Sequence, residues 1–365
     1  MNFIEFSKLC MRAPGEGVYT VSNAKERKEN LHQLLYKSKD DVQTHWQKSL
    51  SQKLQHDFSG VAVLGICSDT GGGIQRGANW GPLFLRETML SQFDWSVTDL
   101  GDILIVAQIL HDKYLNTQTI KQIRASIYKD ENIELPVSPL SLTELAYNKF
   151  LKEFPQAKIF GIGGDHSVSY PLVKAWAENK SSKKMKIGLI HFDAHTDLMT
   201  ERLGIDLCFG SWVPPIIPIF EDPSDIYQIG IRSSAQVRSH WENKFGVNQL
   251  WANEIKTNGI EKALNSFEQY LKEKNFDEVY ISFDIDALDS EYAGATGTPE
   301  SGGLAPHEAI LFLELVGKYS KVTGSDMMEI APFVQIDNDH LARQTTLKSA
   351  SYISKVLTDL MNKSS

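Results

Sequence analysis

From Val61 onward, short apolar runs alternate with amphipathic stretches of helical spacing. The apolar runs predict seven strands: VAVLGI (61–66), KIFGIGG (158–164), KIGLIHFDA (186–194), IYQIGIRS (226–233), QLWANEI (249–255), EVYISFDID (278–286) and KVTGSDMME (321–329). Helices are predicted between or after them, at 141–154, 169–179, 259–274, 306–320 and 341–363. Strands that are apolar throughout and alternate with helices are typical of a parallel sheet covered on both faces. The pattern therefore predicts an α/β fold, a three-layer α-β-α sandwich around a mainly parallel central sheet.

The first sixty residues follow a different pattern. Residues 23–56 are polar with intermittent Leu and Trp, which predicts one or two amphipathic helices ahead of the main domain. We therefore expect two parts, a helical N-terminal extension at residues 1–60 and a single domain at residues 61–365.

Acids and histidines come at the ends of four of the predicted strands. The clusters are GGDHS (163–167), DAHTD (193–197), FDID (283–286) and SDMME (325–329). The carboxyl ends of parallel strands lie along one edge of a sheet, which is where ligand sites of such folds are found. Four separate strands are therefore expected to bring these polar side chains to one place.

Six residues of the first three clusters have side chains that bind metals: His166, Asp193, His195, Asp197, Asp284 and Asp286. Four carboxylates held close together do not all stay ionised unless cations offset their charge, and a pair of divalent ions would do so. Mixed oxygen and imidazole ligands suit manganese, with zinc, iron, nickel and cobalt as competitors. Two such ions lower the pKa of a shared water, so the cluster predicts metal-assisted hydrolysis.

Each cluster taken alone also fits a purely structural role. GGDHS is consistent with a turn in which Asp165 caps a helix, DAHTD with a strand end and a capping aspartate, and FDIDALD with a solvated or calcium-binding loop. Their coincidence at the ends of separate strands favours the metal site.

Composition limits the partners. The chain of 365 residues has a net charge of −9 and no basic block, which argues against nucleic acid or an acidic membrane as main partner and allows a cationic small molecule. The longest apolar runs fall short of the roughly 20 residues that a membrane helix needs. The three cysteines are scattered, as is typical of reduced thiols, and we expect a cytoplasmic protein without a secretory signal.

Three of the motifs resemble the signature motifs of the ureohydrolase family, which contains arginase, agmatinase and formimidoylglutamase. They are GGDHS (163–167), FDAHTD (192–197) and SFDIDALD (282–289). Segments 68–87, 296–304 and 325–332 are also similar to family loops, in the family's order from about Val61 to the C-terminal helix. The resemblance implies an arginase-like fold, two divalent metal ions, a small guanidino or amidine substrate and a homo-oligomer, either a trimer or a hexamer.

Matched position by position, the resemblance also implies a role for each candidate. One metal would be held by His166, Asp193, Asp197 and Asp284, and the other by Asp193, His195, Asp284 and Asp286. In the family, a metal-bridging hydroxide attacks the amidine or guanidinium carbon. Asp197 would orient that hydroxide and pass its proton to the departing amine, and Glu329 would pair with the guanidinium group of the substrate.

One position departs from the arginase and agmatinase pattern. Those enzymes carry a histidine followed by glycine after DAHTD, and alignment on Gly210 places Phe209 there. Phenylalanine cannot transfer protons, so that role is absent, filled by another group or not needed, and Phe209 is a candidate substrate contact. Formimidoylglutamase-like members also lack this histidine, whereas the loop ATGTPESGGL is more similar to agmatinases and arginases.

These comparisons order the expected substrates. An agmatinase-like guanidino compound comes first, formimidoylglutamate second and arginine third. A family member that binds metal without hydrolysing a substrate is the alternative of another class, although the retention of all six ligands argues against it.

Four other residues and one glycine run receive structural interpretations. Arg76 and Arg86 are expected to donate ion pairs, His191 to be a satisfied core histidine, and Cys208 to pack. The glycines at 71–73 are not followed by the G-K-[ST] of a phosphate-binding loop, so we expect them to shape the backbone near the site.

Overall fold

The computed structural model describes residues 1–18, 24–72, 76–332 and 340–364. Within these ranges, nine strands form one sheet: β1 (Met11–Arg12), β2 (Val61–Gly65), β3 (Thr98–Ile103), β4 (Lys158–Ile162), β5 (Ile187–Phe192), β6 (Ile226–Ile231), β7 (Asn248–Trp251), β8 (Glu278–Asp284) and β9 (Lys321–Met328). The strand order is β1-β3-β2-β4-β9-β8-β5-β6-β7, and every neighbouring pair is parallel except β1 with β3. Asn23 of the predicted helical segment and Gly73 of the glycine run lie outside the described ranges.

Helices cover both faces of the sheet. The described part of the chain contains α1 (Phe3–Cys10), α2 (Lys25–Tyr36), α3 (Val42–Lys53), α4 (Gly81–Gln92), α5 (Thr117–Tyr128), α6 (Pro139–Glu153), α7 (Ser169–Ser181), α8 (Arg238–Phe245), α9 (Ala252–Asn258), α10 (Ile260–Lys274), α11 (Pro306–Tyr319) and α12 (His340–Lys363). α6 packs against α7 on one face, while α4, α12, α11 and α10 form a row in which each helix contacts the next. The predicted three-layer α/β sandwich is therefore confirmed. None of the helices in the described ranges is both long and apolar enough to cross a membrane.

All seven predicted strands are present; six end one or two residues earlier than predicted, and one ends four residues earlier. The segment 249–255 is a strand only as far as Trp251, because α9 begins at Ala252. The start of this helix is stabilised locally, since the Glu254 carboxylate accepts a hydrogen bond from the Trp251 backbone N–H at 3.1 Å. The apolar pattern of residues 249–255 therefore covers the end of β7 and the first turn of α9, whereas the sequence predicts a strand throughout.

Two strands of the sheet, β1 and β3, were not predicted. β3 has the sequence TDLGDI, in which Asp99, Gly101 and Asp102 interrupt the apolar pattern. Both carboxylates are tolerated inside the fold because the fully buried Arg86 of α4 pairs with them. A pattern read along one strand cannot detect a partner that another element supplies.

Residues 1–18 and 24–60 pack into the same hydrophobic core as the rest of the described chain. Phe3 lies against Phe150 of α6 with ring centroids 4.9 Å apart, and the fully buried Trp46 of α3 covers β3. Gly101 has φ +90°, and a Cβ there would come within 2.7 Å of the Trp46 ring. The expected helical character is present in α1, α2 and α3, but the boundary after residue 60 is not a gap in the core. The independence of the two parts stays a prediction.

Arg86 is a structural ion-pair donor, in agreement with the sequence analysis. Its Nε donates to Asp99 Oδ2 at 2.8 Å, and its Nη1 donates to Asp102. Asp102 also accepts hydrogen bonds from the backbone N–H groups of Gly15 and Gly17, each at 2.9 Å. Burial raises the pKa of Asp99, and the Arg86 charge acts in the opposite direction. This cluster joins α4, β3 and the N-terminal segment through charges that are shielded from water.

Replacing Arg86 by methionine should strongly destabilise the protein. The substitution leaves Asp99 and Asp102 buried without a cation, and removing one partner of a buried ion pair costs about 3–5 kcal/mol. We expect the free energy of unfolding in urea to fall by that amount.

Arg238→Met is the matched control for this prediction. The Arg238 guanidinium also bonds two carboxylates, Glu242 and Glu254, but it does so at the surface. Its loss should cost no more than about 1 kcal/mol. Equal losses of stability in the two variants would contradict the structural role of Arg86.

Candidate metal centre

Four neighbouring strands end at the candidate site. β4, β9, β8 and β5 are adjacent in that order and run parallel, so their carboxyl ends share one edge of the sheet. The candidate residues at these ends are His166, Asp193, His195, Asp197, Asp284, Asp286 and Glu329. All of them are buried except His195, whose side chain is 27% exposed. The structure therefore brings together every residue that the sequence analysis proposed as a metal ligand.

His166 lies on a one-turn 3-10 helix directly after β4. Its Nδ1 atom lies 3.0 Å from Asp193 Oδ2 and 3.1 Å from both Asp197 Oδ2 and Asp284 Oδ2. Within the described residues, this buried nitrogen makes no hydrogen bond of acceptable geometry. An unbonded nitrogen that faces three carboxylate oxygens is the arrangement expected around a cation.

The second ring nitrogen of His166 determines which tautomer is present. Nε2 lies 3.1 Å from Ser282 Oγ, and that hydroxyl donates to Asp326 Oδ1 at 2.9 Å. Because Ser282 uses its single proton on Asp326, its oxygen is left to accept the Nε2–H of His166. Asp326 is held in place by Ser169 and Tyr280, whose hydroxyls donate to Oδ2 at 2.9 and 3.0 Å. In the neutral form of His166, the lone pair therefore lies on Nδ1, which is the atom that faces the carboxylates.

A second group of ligand atoms shares Asp193 with the first. His195 Nδ1 lies 3.1 Å from Asp286 Oδ2 and 3.4 Å from Asp193 Oδ1. Asp286 is oriented by the Ala194 backbone N–H and the Thr298 hydroxyl, which each donate to it at 3.0 Å. The ligand atoms of Asp193, His195 and Asp286 lie within 4.8 Å of one another, as do those of His166, His191, Asp193 and Asp197. This donor set fits two cations that share Asp193.

Burial and neighbouring charges make Asp284, Asp197 and His166 hold their protons more strongly than usual. Burial, followed by the charges of Asp286 and Asp193, raises the pKa of Asp284 well above its ordinary value. Burial and the charge of Asp193 also raise the pKa of Asp197. Burial alone would lower the pKa of His166, but the neighbouring Asp193, Asp197 and Asp284 carboxylates raise it well above its usual range. Divalent cations would displace these protons and offset the carboxylate charge.

Asp197 has a left-handed backbone, with φ +50°, and a fully buried tryptophan orients its side chain. The Nε1–H of Trp212 donates to Asp197 Oδ2 at 2.7 Å. The Trp212 ring lies 4.9 Å from the His166 ring and 5.0 Å from the His191 ring. Trp212 was missed by the sequence analysis because it lies in a loop without periodic pattern, far along the chain from Asp197.

Glu329 also has a left-handed backbone, with φ +62°, directly after β9. Its N–H donates to the Gly164 carbonyl at 2.9 Å, and its Oε1 accepts from the His166 backbone N–H at 2.9 Å. Burial, and then the charges of Asp284 and Asp165, raises the pKa of Glu329 well above its ordinary value. The GGDHS motif therefore positions a buried acid beside the ligand cluster.

Asp165 of the same motif shapes the glycine-rich loop. Its Oδ1 caps the one-turn helix by accepting from the Ser167 N–H at 3.0 Å, and its Oδ2 accepts from the Gly71 N–H at 3.1 Å. Burial, together with the charge of Asp69, raises the pKa of Asp165 to about 6. A Cβ on Gly71 would lie 2.5 Å from Ser167 Oγ, so the loop needs glycine there. Arg76, with Nη1 3.9 Å from Asp69 Oδ1, is an ion-pair donor as expected.

His191 is a satisfied core histidine, as expected, but it also contacts the site. Its Nε2 lies 2.9 Å from Asp193 Oδ2, and its Nδ1 accepts from the Gln228 side-chain amide at 2.9 Å. Gln228 is held by Gln249, which donates to its Oε1 at 2.7 Å. Since Nδ1 accepts, the proton is on Nε2, and His191 orients Asp193 rather than offering a lone pair to a cation.

Phe209 lies outside the ligand cluster. Its N–H donates to the Gly71 carbonyl at 3.0 Å, and its half-buried ring lies 5.1 Å from the Arg202 guanidinium carbon. The ring lines a cavity of about 480 Å³. The adjacent Cys208 is buried and its sulfur accepts from the Ser211 hydroxyl at 3.3 Å, which agrees with a packing role.

The loop after β8 contributes residues that the sequence analysis did not single out. Glu300 Oε1 lies 3.7 Å from His195 Nε2. Arg232 donates to the backbone carbonyls of Asp286 and Glu300 at 2.7 Å each, which joins this loop to the end of β6. The resemblance of segment 296–304 to a family loop pointed to the region, but no local pattern indicated these contacts.

Comparison with known proteins agrees with this geometry. The chain matches the model of the arginase family over residues 59–358. It is 30% identical over 298 residues to the mitochondrial agmatinase of Gallus gallus, covering 76% of each chain. It is 29% identical over 289 residues to the mitochondrial guanidino acid hydrolase of Homo sapiens, covering 74% of this chain and 71% of that relative.

A solved structure shares the fold. Formimidoylglutamase from Bacillus subtilis superposes with a TM-score of 0.66 at 20% identity, over 84% of this chain and 88% of that chain. The match of the family model spans the whole sheet except β1 and includes every residue of the ligand cluster. The chain therefore belongs to the arginase family, the ureohydrolase-type hydrolases that act on C–N bonds.

Proposed function

We propose that this protein is a dinuclear metal-dependent hydrolase that cleaves a C–N bond, other than a peptide bond, in a linear guanidino or amidine compound. One observation carries the proposal. The unbonded Nδ1 of His166 faces three buried carboxylate oxygens at 3.0–3.1 Å, and such a cluster needs cations to offset its charge. Membership in the arginase family supports hydrolysis as the reaction.

Two divalent cations, with Mn²⁺ favoured, would occupy the centre. Their ligands would be His166, Asp193, His195, Asp197, Asp284 and Asp286. The mixture of carboxylate oxygen and imidazole nitrogen suits Mn²⁺. When bound, the cations supply Lewis-acid activation of a water molecule.

Asp197 is the residue that we assign to proton transfer. It would orient the attacking water and carry a proton to the departing amine. The bond from Trp212 fixes one carboxylate oxygen, so the group is held in a single orientation. Burial and the charge of Asp193 raise the pKa of Asp197, so this carboxyl group binds a proton more readily than it would in water. A higher proton affinity suits a group that must first accept a proton and then donate it.

Glu329 is the residue that we assign to the cationic group of the substrate. It is buried beside the ligand cluster, and no cationic side chain of the described residues pairs with it. A bound guanidinium would supply the missing positive charge through a charge-assisted, bidentate contact. Burial and the charges of Asp284 and Asp165 raise the pKa of Glu329, and a bound guanidinium would act in the opposite direction.

The three candidate substrates are ranked as in the Sequence analysis. The agmatinase and guanidino acid hydrolase relatives favour a guanidino compound such as agmatine. Formimidoylglutamate is the alternative, which Phe209 favours because it stands where a histidine was expected, and arginine is third. The trimer or hexamer and the cytoplasmic location also stay predictions.

A substrate screen tests the function. Protein loaded with Mn²⁺ is incubated with agmatine, formimidoylglutamate and arginine, and urea, formamide and ammonia are measured separately. We expect urea from a guanidino substrate. Asp193→Ala should lose metal and activity together, because Asp193 belongs to both ligand groups. Full activity in that variant would overturn the site, and no turnover of any amidine by fully loaded protein would overturn the function.

Glu329→Gln should lower kcat/KM by roughly 10- to 150-fold, the range expected when a hydrogen bond to a charged group loses its charge. Glutamine keeps an oxygen that accepts from the His166 N–H, so the metal content should not change. Steady-state kinetics and metal analysis of the same preparation check both statements. An unchanged kcat/KM at full metal content would exclude Glu329 from substrate binding.

Mn²⁺ should stabilise the protein more at about pH 8 than at about pH 6. The pKa values of Asp284 and His166 are raised in the metal-free fold. A raised folded pKa contributes stability that is complete below the unfolded value, about 3.9 for Asp and 6.5 for His, and is lost as pH rises towards the folded value. The unfolding free energy of metal-free protein should therefore fall with pH, by roughly 1.4 kcal/mol per unit for each proton retained.

The pKa of Asp193 is shifted in the opposite direction, but this shift does not change the expected pH dependence of the Mn²⁺ effect. Burial would raise its pKa, yet its contacts with His166, His191 and His195 lower it well below the ordinary value. Its contribution is then already complete above about pH 4 and stays constant in the tested range. Urea unfolding of chelated and Mn²⁺-saturated protein measures the difference, and a difference independent of pH would contradict the prediction.

A further inference from the structure

A cavity of about 480 Å³ lies beside two loops that lead to the metal centre, and the chemistry proposed above does not use it. Its walls come from residues 70–72, 108–111, 114–115, 202–203, 205 and 208–209. Leu110, Leu115 and the Phe209 ring make much of this lining apolar. The volume is within the range of small-molecule sites, roughly 300–1,000 Å³.

Two walls of the cavity continue into the metal centre. Gly71 donates its N–H to Asp165, the residue before His166, and accepts the N–H of Phe209 through its carbonyl. The loop that carries Phe209 then leads to Trp212, which bonds a candidate metal ligand. A substrate whose reactive end lies at the metal centre would therefore extend its other end into this cavity.

The charges around the cavity favour an anion. No Asp or Glu is among the described residues that line it, and Arg202 is the lining residue with a permanent charge. Within the described chain, no carboxylate oxygen lies within 4 Å of the Arg202 guanidinium, which lies over the Phe209 ring with its carbon 5.1 Å from the centroid. The nearby Lys113, in contrast, is neutralised by Asp206 at 2.9 Å. Arg202 is thus positioned by a cation–π contact and available for a ligand.

We propose that the substrate carries a carboxylate at the end opposite its guanidino or amidine group, and that Arg202 binds this carboxylate beside Phe209. The proposal rests on the function proposed above and narrows its substrate class. An ammonium group at the same end, as in agmatine, would meet the Arg202 charge without an acid to offset it. Guanidino acids and formimidoyl amino acids are therefore better substrates than agmatine, in contrast to the order that the sequence favoured.

The group at the end of the substrate opposite the guanidino group can be varied while the rest of the molecule stays similar. The probes are 4-guanidinobutanoate, 1-butylguanidine and agmatine, which present a carboxylate, a methyl group and an ammonium group on similar chains. With Mn²⁺-loaded protein, kcat/KM should decrease in that order, by roughly tenfold to a hundredfold between the first and the last. Formimidoylglutamate and N-butylformamidine are compared in the same way, so that a preference for formimidoyl compounds does not hide the effect.

Substitutions of Arg202 test whether this residue determines the preference for a substrate that carries a carboxylate. Arg202→Ala should remove the advantage of the carboxylate over the neutral probe, Arg202→Glu should reverse it in favour of agmatine, and Arg202→Lys should restore part of it. Arg238→Ala, at a distant surface ion pair, is the control and should keep the wild-type order. A purely structural role would lower all rates together without changing their ratio.

The outcomes separate this proposal from the function on which it rests. Turnover of the neutral probes depends on the metal centre alone and supports the proposed function. If they are hydrolysed but agmatine is preferred to 4-guanidinobutanoate, or Arg202→Ala leaves the ratio unchanged, the carboxylate proposal is wrong and the function stands. If none of the five compounds is hydrolysed by fully loaded protein, both are wrong.

Discussion

The burial of four carboxylates at one edge of a parallel sheet is the constraint on which this structure depends. Asp193, Asp197, Asp284 and Asp286 follow or end strands that lie close together, so the topology that builds the core also brings like charges together. Burial, followed by their mutual repulsion, raises the pKa of Asp284 and Asp197. Cations held there would offset the carboxylate charge and so the cost of burying it.

The residues around the cluster fix the direction of each ligand atom. Asp326 directs the proton of Ser282 away from His166, which leaves the His166 lone pair towards the acids. His191 and Trp212 each hold one carboxylate oxygen, and the left-handed backbones at Asp197 and Glu329 turn these side chains inward at the strand ends. Strained backbone of this kind persists where surrounding contacts over-determine it, which is typical of functional sites. The centre is therefore preorganised by bonds that span several strands.

Asp99 and Asp102 have buried carboxyl groups that are neutralised in a different way from those of the metal centre. Asp99 and Asp102 of β3 are neutralised by the guanidinium of Arg86, a fixed charge supplied by the chain itself. At the metal centre the described chain supplies imidazoles instead, and their lone pairs and protons depend on what is bound. The first cluster is thus a structural ion pair that connects the N-terminal segment to the sheet, and the second is a site that can exchange cations and protons.

The local pattern of the sequence determined the α/β class, the seven strands with apolar runs and the ligand types at their ends, because strand periodicity and strand-end chemistry are properties of contiguous residues. It missed β3, since Asp99 and Asp102 look unfavourable in a strand until Arg86 is folded against them. It also missed the roles of Trp212, Asp326 and Arg202, which arise from the contacts of these side chains with Asp197, Ser282 and Phe209 in the folded protein. Only the tertiary structure decided which nitrogen of His166 faces the acids and that the Arg202 charge lies at the wall of the cavity beside Phe209. Both depend on distances between loops and strands that no single stretch of sequence contains.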